Sequence, residues 1–377
     1  MKRTRKAGTS IADVLEGKHL VVLVGEGGVG KTSTAAAVAF GQACAGRNVA
    51  VLTVDPAPRL GDALGIRDID AAPRVVALPG GCAANGSLVA MRLDSKRTFD
   101  RMVERYAQSR EAAEALLHHP IYEAVSGSLG GTEHYMAFQR LSELVESADH
   151  DLLVIDTPPA VNASELLAAP ARLTGLFDTG ALSILAEPAR LIARATGTLA
   201  RASLSFVLAL VERVAGTSLK TGVGDFVRLF ADILAGLEDR TRAINELLRS
   251  PRTAFVMVVR PRSTDVARAI AFHKTLAAIG LHIDAIIVNR LTPPGIDRVR
   301  SRAERLADAP AQARAAIAVM EREMDSLRRI ESNALCALRE AMTGEDAPLV
   351  ITLNSLDVDV ATVDDIATLA RELLAKR

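Results

Sequence analysis

The chain has 377 residues, and its 45 basic and 45 acidic side chains leave no formal net charge. This balance supplies no overall field toward nucleic acid or an anionic membrane, so nonspecific DNA binding is disfavoured. The length fits one large α/β unit with an inserted helical part. Aromatic residues make up only 3% of the chain, which suits helices packed on a buried parallel sheet better than a β-sandwich.

Six short β-branched segments predict buried parallel strands, because each is followed by a turn and a helical pattern. They are residues 19–25, 49–55, 151–156, 253–259, 285–289 and 349–354. Open parallel sheets bind ligands at the carboxyl ends of their strands. We therefore predict an α/β fold, in which helices flank a mostly parallel central sheet and functional residues follow the strands.

Two longer segments have helical periodicity. Residues 165–250 carry an apolar stripe and are too long for a plain crossover, so they predict a helical insertion. The stripe either packs within the protein or forms a groove or dimer face. Residues 297–345 alternate Arg and Glu with Ala and Leu, which predicts an additional solvated helical segment. No separate boundary is visible, so residues 1–377 are interpreted as a single domain with these additions.

The cysteines and the hydropathy pattern indicate a cytoplasmic protein. Cys44, Cys82 and Cys336 lie far apart and form no CxxC pair, so we interpret them as reduced thiols in the core. A polar stretch follows the basic N-terminus, where a signal peptide would have an apolar run. Charged residues interrupt the most apolar region, residues 182–214, so stable insertion into a membrane is not expected.

A glycine-rich loop with the sequence GEGGVGKT occupies residues 25–32, between the first predicted strand and an Ala-rich helix. In this context the pattern predicts a phosphate-binding loop, because backbone N–H groups and the helix N-terminus face an anion. The lysine would reach the β/γ-phosphates, and the threonine hydroxyl would ligate Mg²⁺. The predicted nucleotide-binding residues in this region are Gly27, Gly28, Val29, Gly30, Lys31, Thr32 and Ser33.

Two aspartates follow neighbouring predicted strands. Asp156 ends the strand at residues 151–156, a position from which a carboxylate holds magnesium directly or through water. Asp55 ends the strand at residues 49–55, from which it would reach an attacking water. Either aspartate could instead be a plain turn or cap residue. Together with the loop they favour phosphoryl transfer, with Lys31 and Asp55 as the catalytic residues and Thr32 and Asp156 as the metal ligands.

Three segments, in this order and spacing, resemble the arsenite-pump and tail-anchored-protein-targeting ATPases. They are the loop, Val-Asp-Pro-Ala-Pro-Arg-Leu at residues 54–60 and Ile-Asp-Thr-Pro-Pro at residues 155–159. Those ATPases belong to the deviant-Walker P-loop class, which also includes MinD- and ParA-like dimers. The resemblance extends over nearly the whole chain. It implies a homodimer or heterodimer that binds ATP and Mg²⁺, with a helical region that engages a protein client or regulator.

The resemblance also implies roles for individual residues. Residues 55–62 would be switch I, with Asp55 activating water, and residues 156–162 would be switch II. Asn289 would read adenine, although it could instead cap the turn before Pro293.

Glu26 departs from the pattern, because deviant-Walker loops carry a signature lysine at this position. A glutamate there implies slow hydrolysis, a heterodimer whose other chain supplies the lysine, or a homodimer that uses another cation such as Arg59. Without a CxxC pair, zinc is not expected, and three scattered cysteines disfavour metalloid handling. The scarcity of methionine in the insertion makes tail-anchored clients doubtful.

The main hypothesis is therefore an ATP- and Mg²⁺-dependent dimeric ATPase switch. A second is a weakly hydrolysing or inactive scaffold or regulatory subunit that binds nucleotide and pairs with an active paralogue, which Glu26 favours. ParA-like movement on DNA would need a basic surface, which the balanced charge does not indicate. A small-molecule kinase is a further alternative, but the Asp-Pro-Ala and Asp-Thr-Pro-Pro segments do not favour it.

Overall fold

The computed structural model describes residues 10–55, 57–66, 69–120, 122–123, 133–158, 229, 237–293, 311–344, 346–356, 360 and 362–375. The chain divides into two compact units. The sheet unit consists of Met1–Met91, His150–Ser164 and Pro251–Arg377, and the helical unit consists of Arg92–Asp149 and Glu165–Ser250. Most of the predicted insertion at residues 165–250 lies outside the described residues, so its boundaries stay a prediction.

The described residues contain a sheet of eight strands in the order β3-β4-β2-β5-β1-β6-β7-β8. The strands are β1 (Leu20–Gly25), β2 (Asn48–Thr53), β3 (Arg74–Val75), β4 (Ser87–Arg92), β5 (Leu152–Asp156), β6 (Thr253–Val259), β7 (Ala285–Leu291) and β8 (Leu349–Asn354). The six predicted strands are all present, and they pair in parallel. The predicted α/β fold is therefore confirmed.

Strands β3 and β4 were not predicted, and they form an antiparallel pair at one edge of the sheet. Strand β3 has only two residues, both exposed. A segment this short carries neither the apolar run nor the alternation by which a strand is recognised in a sequence.

The helices in the described part of the chain differ widely in length. They are α1 (Ile11–Leu15), α2 (Lys31–Cys44), α3 (Arg59–Ala63), α4 (Ser95–Tyr106), α5 (Arg110–Leu117), α6 (Glu133–Ser147), α7 (Leu237–Arg249), α8 (Ser263–Ala278), α9 (Ala311–Ala341) and α10 (Val363–Leu374). Helix α9 is a single helix of 31 residues within the segment predicted to be helical. None of the helices described here is both long and apolar enough to cross a membrane.

The core of the sheet unit lies around β1 and α2. Every residue of β1 is buried, because the strand lies between β5 and β6 and both faces of the sheet are covered. Most of the Ala-rich helix α2 is buried as well, since small side chains allow it to pack closely on its neighbours. The beginning of α2 is therefore fixed by packing, and the residues at its N-terminus are held in place at the edge of the sheet.

Strand register brings three carboxyl ends level with each other. Leu23 of β1 pairs with Asp156 of β5, and Asp156 pairs with Thr53 of β2. The backbone N–H of Val54 then donates a hydrogen bond of 3.1 Å to the carbonyl of Asp156. Residues that follow β1, β2 and β5 in the sequence therefore emerge side by side.

The structure contradicts the interpretation of the cysteines as reduced core thiols. Cys44 and Cys82 form a disulfide although they are 38 residues apart in the sequence, and Cys336 is exposed on α9. The turn after residue 79 returns to the end of α2, where the N–H of Ala83 donates a hydrogen bond of 2.9 Å to the carbonyl of Cys44. This contact places Cys82 beside Cys44, and no sequence spacing signals it.

The described part of the helical unit packs around aromatic side chains. Tyr122 is buried and stacks on Phe99 with ring centroids 5.2 Å apart, and its hydroxyl donates a hydrogen bond of 2.7 Å to Asp100. The guanidinium of Arg240 on α7 lies 3.9 Å from the centroid of the Tyr106 ring. The apolar stripe predicted for the insertion lies almost entirely outside the described residues.

Candidate functional site

Close contacts at two glycines fix the conformation of the glycine-rich loop between β1 and α2. A Cβ atom on Gly25 would lie 2.3 Å from the carbonyl oxygen of Val258 in β6, and one on Gly30 would lie 2.4 Å from Nδ2 of Asn289. Gly30 also has a φ of 97°, a conformation that favours glycine. The loop therefore takes this shape only with glycine at these two positions.

The other residues of the glycine-rich loop differ in burial. Val29 is fully buried, whereas Gly27 and Gly28 are exposed. Thr32 and Ser33 are partly buried in the first turn of α2. The predicted nucleotide-binding residues thus form one continuous rim around the N-terminus of α2, where backbone N–H groups have no intrahelical partner.

Lys31 is 7% exposed, and its Nζ donates a hydrogen bond of 2.8 Å to the backbone carbonyl of Glu26. Burial lowers the pKa of Lys31, and the carboxylates of Asp156, Asp55 and Glu26 partly offset this effect. Arg59 lowers the pKa of Lys31 further, by charge repulsion. The ammonium therefore lies within electrostatic range of the two predicted functional aspartates.

Asp156 is 1% exposed, and its two carboxylate oxygens differ in their contacts with the described residues. Oδ2 accepts hydrogen bonds from the hydroxyls of Thr32 at 2.8 Å and Thr53 at 3.1 Å. Oδ1 is buried and accepts no hydrogen bond from any residue that the structure describes. Burial raises the pKa of Asp156 to about 6, although the two hydroxyls and the charge of Lys31 act in the opposite direction.

This arrangement fits a hard divalent cation. Mg²⁺ takes oxygen ligands and is usually held by one or two carboxylates, water and phosphate. The buried Oδ1 of Asp156 has no hydrogen-bond partner among the described residues, and the Thr32 hydroxyl contacts the other oxygen of the same carboxylate. A cation would remove the cost of burying an unpaired carboxylate oxygen.

Asp55 lies two residues beyond β2 in a local turn. Its Oδ1 accepts a hydrogen bond of 2.9 Å from the N–H of Ala57, and its Oδ2 lies 3.3 Å from Nη1 of Arg59. The N–H of Asp55 donates a hydrogen bond of 3.2 Å to the hydroxyl of Thr53. Asp55 thus has the contacts of a turn residue, and the same contacts hold it at the edge of the sheet where Asp156 lies.

Asn289 contacts the glycine-rich loop through its side-chain amide. Its Nδ2 donates a hydrogen bond of 2.9 Å to the carbonyl of Val29, and its Oδ1 accepts one of 2.9 Å from the N–H of Arg290. The second contact is local, to the next residue along the chain, and a cap of the turn before Pro293 stays an alternative. The first shows that Asn289 also supports the loop, which the sequence did not indicate. Adenine recognition by Asn289 stays a prediction.

Thr53 is a residue of the candidate site that the sequence did not indicate. It is 1% exposed, and its hydroxyl contacts both the Asp156 carboxylate and the Asp55 backbone. The hydroxyl residue two positions before Asp55 aligns with Asp156 only through the register between β2 and β5, which the sequence does not give. On the other side of Asp156, the hydroxyl of Thr157 donates a hydrogen bond of 2.6 Å to the carbonyl of Leu23. Residues 159–162 of the predicted switch II lie outside the described residues.

Comparison with known proteins identifies the family. Residues 18–314 match the model of the anion-transporting ATPase family. The chain belongs to this family. The match confirms the resemblance to the arsenite-pump and tail-anchored-protein-targeting ATPases, and ATP hydrolysis is the activity of the family.

Curated relatives of this chain carry several names. An "Uncharacterized protein SCO2128" of Streptomyces coelicolor is 31% identical over 274 residues, which are 72% of this chain and 62% of the relative. An "ATPase GET3" of Malassezia globosa is 29% identical over 44% of this chain and 46% of the relative. A "Putative arsenical pump-driving ATPase 1" of Aquifex aeolicus is 22% identical over 73% of this chain and 64% of the relative. The alignments thus cover less than two thirds of each relative.

Proposed function

We propose that this member of the family is an ATP- and Mg²⁺-dependent ATPase that acts as a dimeric switch, and that its helical unit engages a protein partner. The observation that carries the proposal is the buried carboxylate of Asp156 beside Lys31 and Thr32. Asp156 accepts a hydrogen bond from the Thr32 hydroxyl, one of its oxygens has no partner in the part of the chain that the structure describes, and its charge acts on the Lys31 ammonium. A Mg²⁺–triphosphate complements these groups, because Mg²⁺ takes the carboxylate and hydroxyl oxygens as ligands and the phosphate oxygens pair with the ammonium.

Each residue of the site then has a definite task. The loop amides and Lys31 bind and orient the β- and γ-phosphates, and Thr32 and Asp156 hold the magnesium ion, directly or through water. When bound, the ion neutralises charge that develops on the phosphate oxygens. Asp55 orients the attacking water. Positioning and charge stabilisation are sufficient for phosphoryl transfer, so the chain needs no covalent nucleophile.

A second candidate function is a nucleotide-gated scaffold with negligible turnover. The loop carries Glu26 where the resemblance leads us to expect lysine, and Glu26 adds negative charge near Lys31. A carboxylate beside a triphosphate is repelled by it. In that case the chain would bind ATP and pair with a second ATPase that completes the site.

Handling of arsenite or tail-anchored proteins is not part of the proposal. Soft metalloids require a cluster of thiolates. Cys44 and Cys82 are joined as a disulfide and Cys336 is a single exposed thiol. In the cytoplasm, where we expect the protein to act, the partner is a protein client or regulator rather than nucleic acid.

Phosphate release by the purified chain tests the proposal and distinguishes the ATPase switch from the scaffold. We expect Mg²⁺-dependent release of phosphate from ATP by the wild type, and faster release by Glu26→Lys. Light scattering with ATP and with ADP reports the dimer in the same samples. Turnover by the wild type alone would exclude the scaffold, whereas turnover only after addition of a second ATPase captured from the cytosol would support it. Unchanged ATP affinity in the Lys31→Ala variant would overturn both the ATPase switch and the scaffold, because each requires ATP to bind at Lys31.

A further inference from the structure

Arg59 and Asp55 form an ion pair at the predicted switch I. Nη1 of Arg59 lies 3.3 Å from Oδ2 of Asp55, and the two side chains are 67% and 25% exposed. Arg59 is the first residue of the short helix α3. An ion pair of two solvated groups contributes little free energy, so a stronger anion nearby would displace Asp55 from the guanidinium.

The charges around Lys31 provide a reason for such an exchange. Lys31 is acted on by the carboxylates of Asp156, Asp55 and Glu26 and by the guanidinium of Arg59. Among these groups, all from described residues, two cations face three carboxylates, which gives a net charge of −1 if all are ionised. Arg59 is the one cation besides Lys31 in this set. Within this set, Arg59 is therefore the side chain that could give a bound triphosphate a second positive contact in addition to Lys31.

The ion pair also occupies the carboxylate that the proposed function assigns to water. Oδ1 of Asp55 accepts a hydrogen bond from Ala57, and Oδ2 contacts Arg59. Each carboxylate oxygen accepts about two hydrogen bonds, so a water molecule that approaches Oδ2 of Asp55 shares it with the guanidinium, whose positive charge makes that oxygen a weaker base. The Arg59 contact is the one that a phosphate group can replace, because guanidinium binds phosphate oxygens through paired N–H donors.

On the basis of the proposed function, we propose that Arg59 is a ligand of the γ-phosphate of ATP. Arg59 exchanges its contact with Oδ2 of Asp55 for the phosphate, and this exchange supplies positive charge that Glu26 does not provide. The same movement removes the positive charge from Oδ2 of Asp55, so this oxygen becomes a stronger hydrogen-bond acceptor for the attacking water. ADP has no γ-phosphate, so it leaves the Arg59–Asp55 pair intact, and Arg59 thereby distinguishes ATP from ADP.

The test compares equilibrium binding of a non-hydrolysable ATP analogue and of ADP, both labelled with a fluorophore and saturated with Mg²⁺. The chain contains no tryptophan, so protein fluorescence interferes little. Arg59→Ala should weaken binding of the ATP analogue about tenfold or more, as expected for loss of a hydrogen bond to a charged group. Binding of ADP should change less than about twofold, and Arg59→Lys should retain part of the preference for the ATP analogue.

Arg74→Ala is the matched control. Arg74 forms an exposed ion pair of 3.0 Å with Asp70, with the same four-residue spacing and with side chains 49% and 45% exposed. This variant should bind both nucleotides as the wild type does. Thermal unfolding of the nucleotide-free variants checks that each one folds.

Two results would overturn the role of Arg59. They are unchanged binding of the ATP analogue by Arg59→Ala, and an equal loss for both nucleotides. The Lys31→Ala variant distinguishes failure of the inference about Arg59 from failure of the proposed function. If Lys31→Ala loses nucleotide binding while Arg59→Ala does not, only the inference about Arg59 fails.

Discussion

The hydroxyl of Thr53 donates a hydrogen bond of 3.1 Å to Oδ2 of Asp156 and accepts one of 3.2 Å from the backbone N–H of Asp55. One buried side chain therefore connects the proposed metal ligand with the residue proposed to orient water. The connection depends on the pairing of Thr53 with Asp156 across β2 and β5. It places Thr53 as a positioning residue between the two aspartates.

Replacement of Thr53 by valine removes both hydrogen bonds while keeping the shape of the side chain. We expect Thr53→Val to lower the free energy of unfolding by about 1–3 kcal/mol, because a buried carboxylate and a backbone N–H lose a partner. The Mg²⁺ concentration needed for half-maximal ATP binding should rise. Urea unfolding and a Mg²⁺ titration of ATP binding measure the two effects. Thr53→Ser retains the hydroxyl and should behave as the wild type, and the same behaviour by Thr53→Val would contradict the positioning role.

Asn289 has a role in the structure and a second role that is predicted. Its Nδ2 supports the carbonyl of Val29 at 2.9 Å, so Asn289→Ala should lower ATP affinity by about 1 kcal/mol, or roughly fivefold. If Asn289 also reads adenine, the preference for ATP over GTP should decrease in this variant. Competition binding with the two nucleotides measures this preference. Equal losses for ATP and GTP would restrict Asn289 to support of the loop.

His273 on α8 should make the protein less stable at mildly acidic pH. Its Nδ1 is buried and has no hydrogen-bond partner in the described residues. Burial, followed by the charge of His282, lowers the pKa of His273 below its usual 6.5. The unfolded chain then binds a proton near pH 6.5 that the folded chain does not, so stability falls as the pH drops below this value.

The variant His273→Gln removes this titration. Denaturant unfolding at pH 7.5 and pH 5.5 should show a smaller loss of stability on acidification than in the wild type. We expect a difference below about 1 kcal/mol, because the ring is partly exposed. An identical or larger acid loss in His273→Gln would show that other groups determine the pH dependence.

The disulfide between Cys44 and Cys82 closes a loop from the end of α2 to the turn before β4. Replacement of both cysteines by serine should lower the free energy of unfolding by about 2–4 kcal/mol, since the open loop gains entropy in the unfolded chain. Thermal unfolding with and without a reductant measures the effect. The reductant should lower the melting temperature of the wild type and leave that of the double variant unchanged. Cys336→Ser is the control, and it should respond to the reductant as the wild type does.

Much of the fold was accessible from the sequence because it depends on local patterns. Buried parallel strands are continuous β-branched runs, and the phosphate-binding loop has its own glycine spacing. These two signals predicted the six strands. They also predicted that Lys31, Asp55 and Asp156 lie at or just beyond strand ends on one edge of the sheet. The helix α9 follows in the same way from its long alternation of charged and small residues.

The missed features depend on contacts between residues distant in the sequence. Thr53 acquires its role only from the register between β2 and β5. Asn289 reaches the Val29 carbonyl across 260 positions, and Cys82 is brought to Cys44 by a turn. None of these contacts leaves a periodic pattern, because each is set by the way separate elements pack.

Equilibrium binding of Mg²⁺–ATP to the wild type and to Lys31→Ala tests the central claim most directly. Lys31 is buried beside Asp156 and the glycine-rich loop, so removal of its ammonium should abolish measurable ATP binding or weaken it at least tenfold. Calorimetric titration of both proteins gives the two dissociation constants, and thermal unfolding confirms that the variant is folded. A folded Lys31→Ala variant that binds Mg²⁺–ATP as tightly as the wild type would contradict the account.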